Sequence, residues 1–346
     1  MKNRIIDKNS IFVIPEELDD LLVLRRVIKK NDLVASETTW SLKKSGEYIR
    51  PNKKERVKIK ILLQADKVYL VGAFNRLQIS GKIIETNNDS ISHGSHHSIY
   101  VEINSSIKII KEWTAAEKNL ISSNMAAGFL LLSVERGNYC IGIVKGTHLQ
   151  IYPETSFGST GKQYKTDFNM EKFLDQIKKS IMLLLENSNN VIVFGPGNTK
   201  NRVGDYLNRK IKNIDIRITD GIESGGEDGI YVFVKSKIIK NVMRNSKLAK
   251  VAYIINEIML LAGRKSNKFS MGFKQTNLAN KYHAVESVVF SYKIIEEENE
   301  EEVINFLNKV ENSGAKIYGV DSTTDLGLRV NSMGGIVALL RFSFDV

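Results

Sequence analysis

One cysteine, Cys140, stands in a chain of 346 residues, which removes intramolecular disulfides and any cysteine-based zinc cluster. It lies in the strand-like run YCIGIV, where a buried and inert thiol is expected instead of a nucleophile. No stretch approaches ~18 uninterrupted apolar residues, and MKNRIIDKNS at the N-terminus lacks a signal-peptide core. A soluble, cytoplasmic protein without membrane contact is expected. Standard nucleotide motifs are missing as well. Gly161-Lys162 superficially ends a phosphate-binding loop, but that motif needs Gly where Ser156 stands and Ser or Thr where Gln163 stands. Gly195-Pro-Gly197 fails the dinucleotide fingerprint, whose third glycine position is Lys200. No directly bound nucleotide is expected. Nor can a Ser–His–Asp arrangement be read from the linear order.

What is present is an ordinary globular mix, 42% hydrophobic and 26% charged, long enough for two or three domains. The net charge of +11 is unevenly spread. Lys and Arg outnumber Asp and Glu by 21 to 15 over residues 1–120, by 16 to 12 over 121–240 and by 13 to 12 over 241–346. A basic N-terminal region suits polyanions, because phosphate neutralisation drives such binding.

The pattern along the chain changes twice. Residues 5–120 read as short strands with one early helix, which opens at Glu16-Glu17 after Pro15 and repeats Leu18, Leu21, Leu22, Leu24 and Ile28 at helical spacing. VKIKILLQA, KVYLVGA, LQISGKII and HSIYVEI read as separate strands with turns at Gly81 and Asn87–Asp89, which predicts a small bent barrel. Residues 121–240 read as antiparallel strands, a helix over about 170–187, a strand-loop-helix at Val191–Leu207 and a strand IYVFVK after the glycine cluster GIESGGEDG. That order predicts a three-layer α/β domain. Residues 241–346 read as an α/β sandwich with helices over VAYIINEIMLLA, Asn277–Val285 and the stretch after Glu296–Glu302.

Several clusters could carry chemistry. Lys43, Lys44, Arg50, Lys53 and Lys54 crowd a hairpin tip that also holds Tyr48, an arrangement able to grip phosphates and stack on a base. Glu16, Glu17, Asp19 and Asp20 place four carboxylates within a turn and a half of helix, and Glu16 with Asp20 four residues on could hold a hard divalent cation. A helix-start acidic patch explains them equally well. His96 and His97 point to opposite faces if HSIYVEI is a strand, so they do not easily share an ion. The loop Gly195-Pro196-Gly197 could cradle phosphate at a helix N-terminus or form a shaped knuckle for a protein.

Four segments in matching order give the chain a resemblance to archaeal Pelota proteins, paralogues of the class-1 translation termination factors. They are EELDDLLVLRRVIKKNDLV, GSHHSIYVE, FGPGNTK and the terminal GGIVALLRF. The resemblance implies a multi-domain α/β protein: an Sm-like N-terminal barrel over 1–122, a central RNase H-like domain over 123–240 and a C-terminal α/β/α domain over 241–346. It implies a monomer that acts on a ribosome stalled on its mRNA, in no-go and non-stop decay. The implied partners are a GTPase of the elongation factor 1-alpha family and an ABC-type ribosome recycling ATPase. Lys43, Lys44, Tyr48, Arg50, Lys53 and Lys54 would then meet RNA, and Gly195, Pro196 and Gly197 would dock the GTPase. Release factors carry Gly-Gly-Gln in the central domain to position hydrolytic water. Thr155–Asp167 has no such triplet here, so no peptide release is expected. The family also implies a divalent-metal-dependent endoribonuclease, for which Asp19 and Asp20 are the catalytic candidates and Glu16 and Asp20 the metal candidates. Where the family tends to have a basic residue after Thr38-Thr39, this chain has Trp40.

Overall fold

Alternation of buried and exposed positions dominates the N-terminal third, as a sheet with one face on a core requires. The structure, a computed structural model, describes residues 1–41, 56–71, 76–88, 91–122, 128–157, 168–185, 188–243 and 246–343. These fall into two units, Met1–Met125 with Asn299–Ile304, and Ala126–Glu298 with Asn305–Val346. Among the described residues no helix is long and apolar enough to cross a membrane.

The first unit contains β1 (Lys2–Ile5), β2 (Ser10–Ile14), α1 (Leu18–Val27), β3 (Leu33–Ser41), β4 (Arg56–Val71), β5 (Arg76–Thr86), β6 (His96–Val101), β7 (Ile107–Ile110) and α2 (Ala115–Ser122). Its strands form one antiparallel sheet in the order β1-β2-β7-β3-β4-β5-β6, and β3 also approaches β6, so the sheet curls toward a barrel. Leu21, Leu24, Val27 and Ile28 of the α1 region fill the core with Val13, Val34, Leu63, Ile79, Val101 and Ile109. Three details differ from the sequence reading. VKIKILLQA and the start of KVYLVGA form a single strand, β4, whose register with β5 shifts between Leu62 and Leu63 and between Ala65 and Lys67. Gly81 is no turn but a strand residue, and a Cβ there would lie 1.9 Å from the Gln64 carbonyl oxygen, so the two backbones meet where only glycine fits. The unit also has a second helix, α2.

The second unit runs through β8 (Phe129–Glu135), β9 (Asn138–Lys145), β10 (His148–Ile151), β11 (Thr155–Ser156), α3 (Met170–Leu184), β12 (Asn190–Phe194), α4 (Thr199–Lys210), β13 (Asp215–Ile218), α5 (Gly226–Lys235) and α6 (Ile238–Val242). It continues through α7 (Lys247–Gly263), β14 (Phe269–Met271), α8 (Phe273–Lys281), β15 (Val285–Ser291), α9 (Ile294–Glu297), α10 (Glu300–Asn312, whose residues to Ile304 group with the first unit), β16 (Lys316–Val320), α11 (Asp325–Ser332) and β17 (Ile336–Leu340). The first sheet has the order β10-β9-β8-β12-β13, antiparallel through β8 and parallel from β8 to β13. Phe173, Ile177, Val203 and Leu207 of α3 and α4 cover one face, and Ile230 and Phe233 of α5 cover the other, which makes three layers. The second sheet has the order β14-β17-β15-β16. Helix α7 packs on the second sheet and against α5, and its Val251, Ile255 and Ile258 share one core with Phe194 and Phe233 and with Val289, Tyr318 and Val337.

IYVFVK is therefore helical, not a strand. Its β-branched and aromatic residues suggest a strand, but Ile230, Phe233 and Val234 are buried at helical spacing while Tyr231 and Val232 between them face out. Similarly, the helix expected at Asn277–Val285 is α8, Phe273–Lys281, and Val285 already belongs to β15.

In the first unit the turn after α1 is tied down by a buried cation. The Lys111 ammonium donates to the Val27 carbonyl at 2.8 Å and lies 3.1 Å from both Asp32 Oδ2 and Glu117 Oε1. Lys29 reaches the same Glu117 oxygen at 2.8 Å. Burial pushes the Glu117 carboxyl up, but Lys29, the Thr114 amide and Lys111 outweigh it and hold the group at about 2. The folded value lies below the ordinary 4.5, so this contribution to stability is full above pH 4.5 and is lost as pH falls toward 2. Calorimetry of the full chain should show a melting temperature that drops across that window, and Glu117→Gln should flatten the drop. Lys111→Met should cost roughly 3 kcal/mol at neutral pH, because it leaves the buried Glu117 carboxylate and the half-buried Asp32 without their shared partner.

Candidate functional site

The β12–α4 loop is built by two constraints acting in opposite directions. Strand β12 pairs in parallel with β8, with Phe194 opposite Ser133. At Gly195 the chain crosses the end of β8 so closely that a Cβ would sit 1.9 Å from the Val134 carbonyl oxygen, and φ there is 138°. No side chain fits. Gly197 has φ 62° and open space around it, so its freedom serves conformation alone. Pro196 between them fixes its own φ. Beneath the loop, Phe194 stacks on Phe233 of α5 at 4.5 Å between centroids.

Lys200 holds the loop from inside. It is 6% exposed, and its ammonium donates to the Gly195 carbonyl at 3.1 Å and the Gly197 carbonyl at 3.0 Å, with Asp220 Oδ1 at 3.1 Å. The loop's carbonyls thus converge on a cation. A phosphate cradle needs the reverse, amide hydrogens aimed at an anion. The sequence reading used Lys200 only to reject a fingerprint and missed its part in shaping the loop. A signal was there: Lys200, Val203, Gly204 and Leu207 recur at helical spacing, which puts the lysine on the inward face of α4. On that face Gly204 lets Ile218 approach, since a Cβ would lie 2.4 Å from the isoleucine Cδ1.

The second glycine cluster opens α5. Positions 225 and 226 abut the carboxylates of Glu135 and Glu154, and Gly229 abuts Ser133, each within 2.5 Å of a notional Cβ. The Glu154 carboxylate accepts from the Glu227 amide at 3.4 Å, where the positive end of the helix favours an anion. Nearby, burial together with Glu227 and Glu154 pushes the Cys140 thiol up to about 11, which keeps it inert.

In the first unit Glu16 and Asp20 are occupied by groups of the chain. Asp20 Oδ2 accepts from the amides of Glu16 at 2.8 Å and Glu17 at 3.1 Å, one half of a capping box for α1. The Met1 ammonium lies 2.8 Å from Asp20 Oδ2 and 3.4 Å from Glu16 Oε2, and Lys2 lies 2.9 Å from Glu16 Oε1. Burial raises the Glu16 carboxyl, but Lys2 and the amino terminus leave it below its ordinary range. A divalent cation on this pair would have to displace the Met1 ammonium. Asp19 stands in the first turn of α1. Among the described residues no group of three or more His, Cys, Asp and Glu side chains is placed to hold a metal ion.

Lys43, Lys44, Tyr48, Arg50, Lys53 and Lys54 lie outside the described residues, as does the stretch 158–167 with Gln163. The strands that lead to the hairpin are described, and β3 and β4 pair as far as Ser41 opposite Arg56. Near that end Thr38 Oγ1 meets His97 Nε2 at 3.3 Å. Burial pushes the His97 imidazole below its ordinary 6.5. His96 is exposed on the opposite face of β6, as alternation requires.

Residues 1–125 match the family model of the Pelota N-terminal domain, and residues 248–344 match that of eRF1 domain 3. The chain is 48% identical over 344 residues to the protein pelota homolog of Nitrosopumilus maritimus, with 98% of each chain covered. It is 40% identical over 339 residues to the homolog of Cenarchaeum symbiosum, again over 98% of each. Among solved structures, the Thermoplasma acidophilum Pelota protein shares the fold with a TM-score of 0.63 at 20% identity, covering 99% of this chain and 100% of that one.

The loop geometry gives two expectations. Gly195→Ala should destabilise the second unit by roughly 3 kcal/mol or more, since both φ and the Val134 contact oppose a side chain. Lys200→Met should cost about 2 kcal/mol, from two lost charge-assisted hydrogen bonds. It should also speed amide exchange from Gly195 to Asn198, as measured by hydrogen–deuterium exchange.

Proposed function

This chain belongs to the Pelota family, and from that membership we propose that it recognises ribosomes stalled on mRNA and promotes their dissociation into subunits, without hydrolysing peptidyl-tRNA. The observation that supports the reading best is the extent of the likeness, which runs through 98% of both chains at 48% identity. In this proposal the first unit enters the decoding site. Lys43, Lys44, Arg50, Lys53 and Lys54 contact RNA phosphates, and Tyr48 stacks on a base. The second unit offers Gly195-Pro196-Gly197 to a GTPase of the elongation factor 1-alpha family. The inward carbonyls favour this use, because a loop tied to Lys200 from within presents a stiff outer surface and loses little freedom on docking. An ABC-type recycling ATPase completes the splitting. The chain acts as a binding factor, and the energy for separation comes from its nucleotide-hydrolysing partners.

Simultaneous Lys43→Glu, Lys44→Glu and Arg50→Glu should abolish subunit splitting in a reconstituted assay while leaving GTPase capture in a pull-down unchanged. Unchanged splitting would overturn the role given to the hairpin. Stalled complexes incubated with the protein should release subunits but no free peptide, because Thr155–Asp167 contains no Gly-Gly-Gln. Peptide release above the uncatalysed level would show that another group positions the water.

A further inference from the structure

The outer face of β4, β5 and β6 carries a pattern that neither the core nor the hairpin uses. Alternation sends Val68, Leu77, Ile79, Ile99 and Val101 into the core. It leaves Lys67 and Tyr69 of β4, Gln78, Ser80 and Lys82 of β5, and His96, Ser98 and Tyr100 of β6 facing outward. The strand registers place these side by side. Tyr69, Gln78 and Tyr100 form one cross-strand row, Lys67, Ser80 and Ser98 form the next, and Lys82 stands opposite His96.

The chemistry of the rows is specific. Tyr69 and Tyr100 are 42% and 48% exposed and stand two strand spacings apart, about 10 Å. Between them the surface is low and polar: the Gln78 amide donates to Ser80 Oγ at 3.1 Å and Ser98 Oγ at 3.3 Å, and the two hydroxyls meet at 2.8 Å. The rings therefore stand above a flat hydrogen-bonded floor. Cations surround them, with the Arg76 guanidinium 5.0 Å from the Tyr100 ring centroid and Lys67 and Lys82 on the flanks. The three rows themselves include no carboxylate; Glu102, exposed two residues beyond Tyr100, borders the face, and nearby Asp66 is paired with Lys30 at 3.4 Å.

We propose that this face binds a single strand of RNA, with bases stacked on Tyr69 and Tyr100 and phosphates held by Lys67, Arg76 and Lys82. Two exposed aromatic faces ringed by cations on a flat sheet suit an unpaired strand, whose bases offer both stacking and edges. A duplex hides its base faces. The rows have no exposed aliphatic side chain among them, so they lack the apolar centre on which a protein partner would dock. The choice of RNA over DNA rests on the ribosomal reading above. The stacking and charge pattern does not.

The test uses the full chain, a labelled ten-residue oligouridylate and fluorescence anisotropy at low salt. Tyr69→Ala and Tyr100→Ala should each weaken binding about 5- to 100-fold, and Tyr→Phe at either position should restore it. Lys67→Ala and Lys82→Ala should each lower the slope of log affinity against log salt by about 0.7. All are surface substitutions, so the melting temperature serves as the check on folding. The proposal is overturned if the wild-type chain shows no saturable binding, if the alanine variants bind like wild type, if a ten-pair duplex binds as tightly, or if charge reversal in the 43–50 hairpin alone abolishes oligonucleotide binding. Failure of subunit splitting with oligonucleotide binding intact counts against the ribosomal role and not against this face.

Discussion

A lysine ammonium leaves water only where oxygen atoms replace its hydration, and Lys200 finds them in the carbonyls of Gly195 and Gly197 and the carboxylate of Asp220. That substitution decides the shape of the β12–α4 loop. With two carbonyls turned inward, the backbone must pass over β8 at a distance only glycine allows, and α4 must begin where its first buried position can reach back under the loop. The strand, the helix and the loop between them are mutually dependent. The same geometry turns the loop away from anion chemistry, since its inward dipoles already serve a positive charge.

The first unit solves an analogous problem with Lys111. There the oxygens come from three separate segments: the end of α1, the turn at Asp32 and the start of α2. The cluster fixes the helices against the sheet while the sheet's other surface stays open to solvent. Curling brings β3 near β6 and lets Thr38 meet His97, so the described ends of β3 and β6 are braced by an imidazole whose burial disfavours its charged form.

Much of this was legible in the residues because local patterns and tertiary demands agree. The alternation in LQISGKII and HSIYVEI, the helix after Pro15 and the strand-loop-helix around Gly195 all appear where their periodicity places them. The failures have physical causes. IYVFVK has strand-like composition, yet three positions at helical spacing meet the sheet and the preceding glycines allow the helix start to lie against Glu135 and Glu154, so tertiary contact overrides propensity. Gly81 resembles a turn because sequence does not reveal that Gln64 passes within van der Waals reach of it. The capping role of Asp20 was foreshadowed by its place at a helix start. Its pairing with the amino terminus was not, because that contact joins segments 19 residues apart through the fold.

The shared core around α7 has a consequence for how the chain can be divided. Val251, Ile255 and Ile258 belong to one buried core that also holds Phe194 and Phe233 and, from the second sheet, Val289, Tyr318 and Val337, and Thr147 of the first sheet's hairpin donates to the Gly319 carbonyl of the second at 2.8 Å. Cutting the chain near residue 245 would leave each fragment with an apolar surface that only the missing half can cover. The two sheets of the second unit are thus one cooperative object in folding, despite their separate hydrogen-bond ladders. A recombinant fragment that respects the physics would begin near residue 126 and keep both sheets.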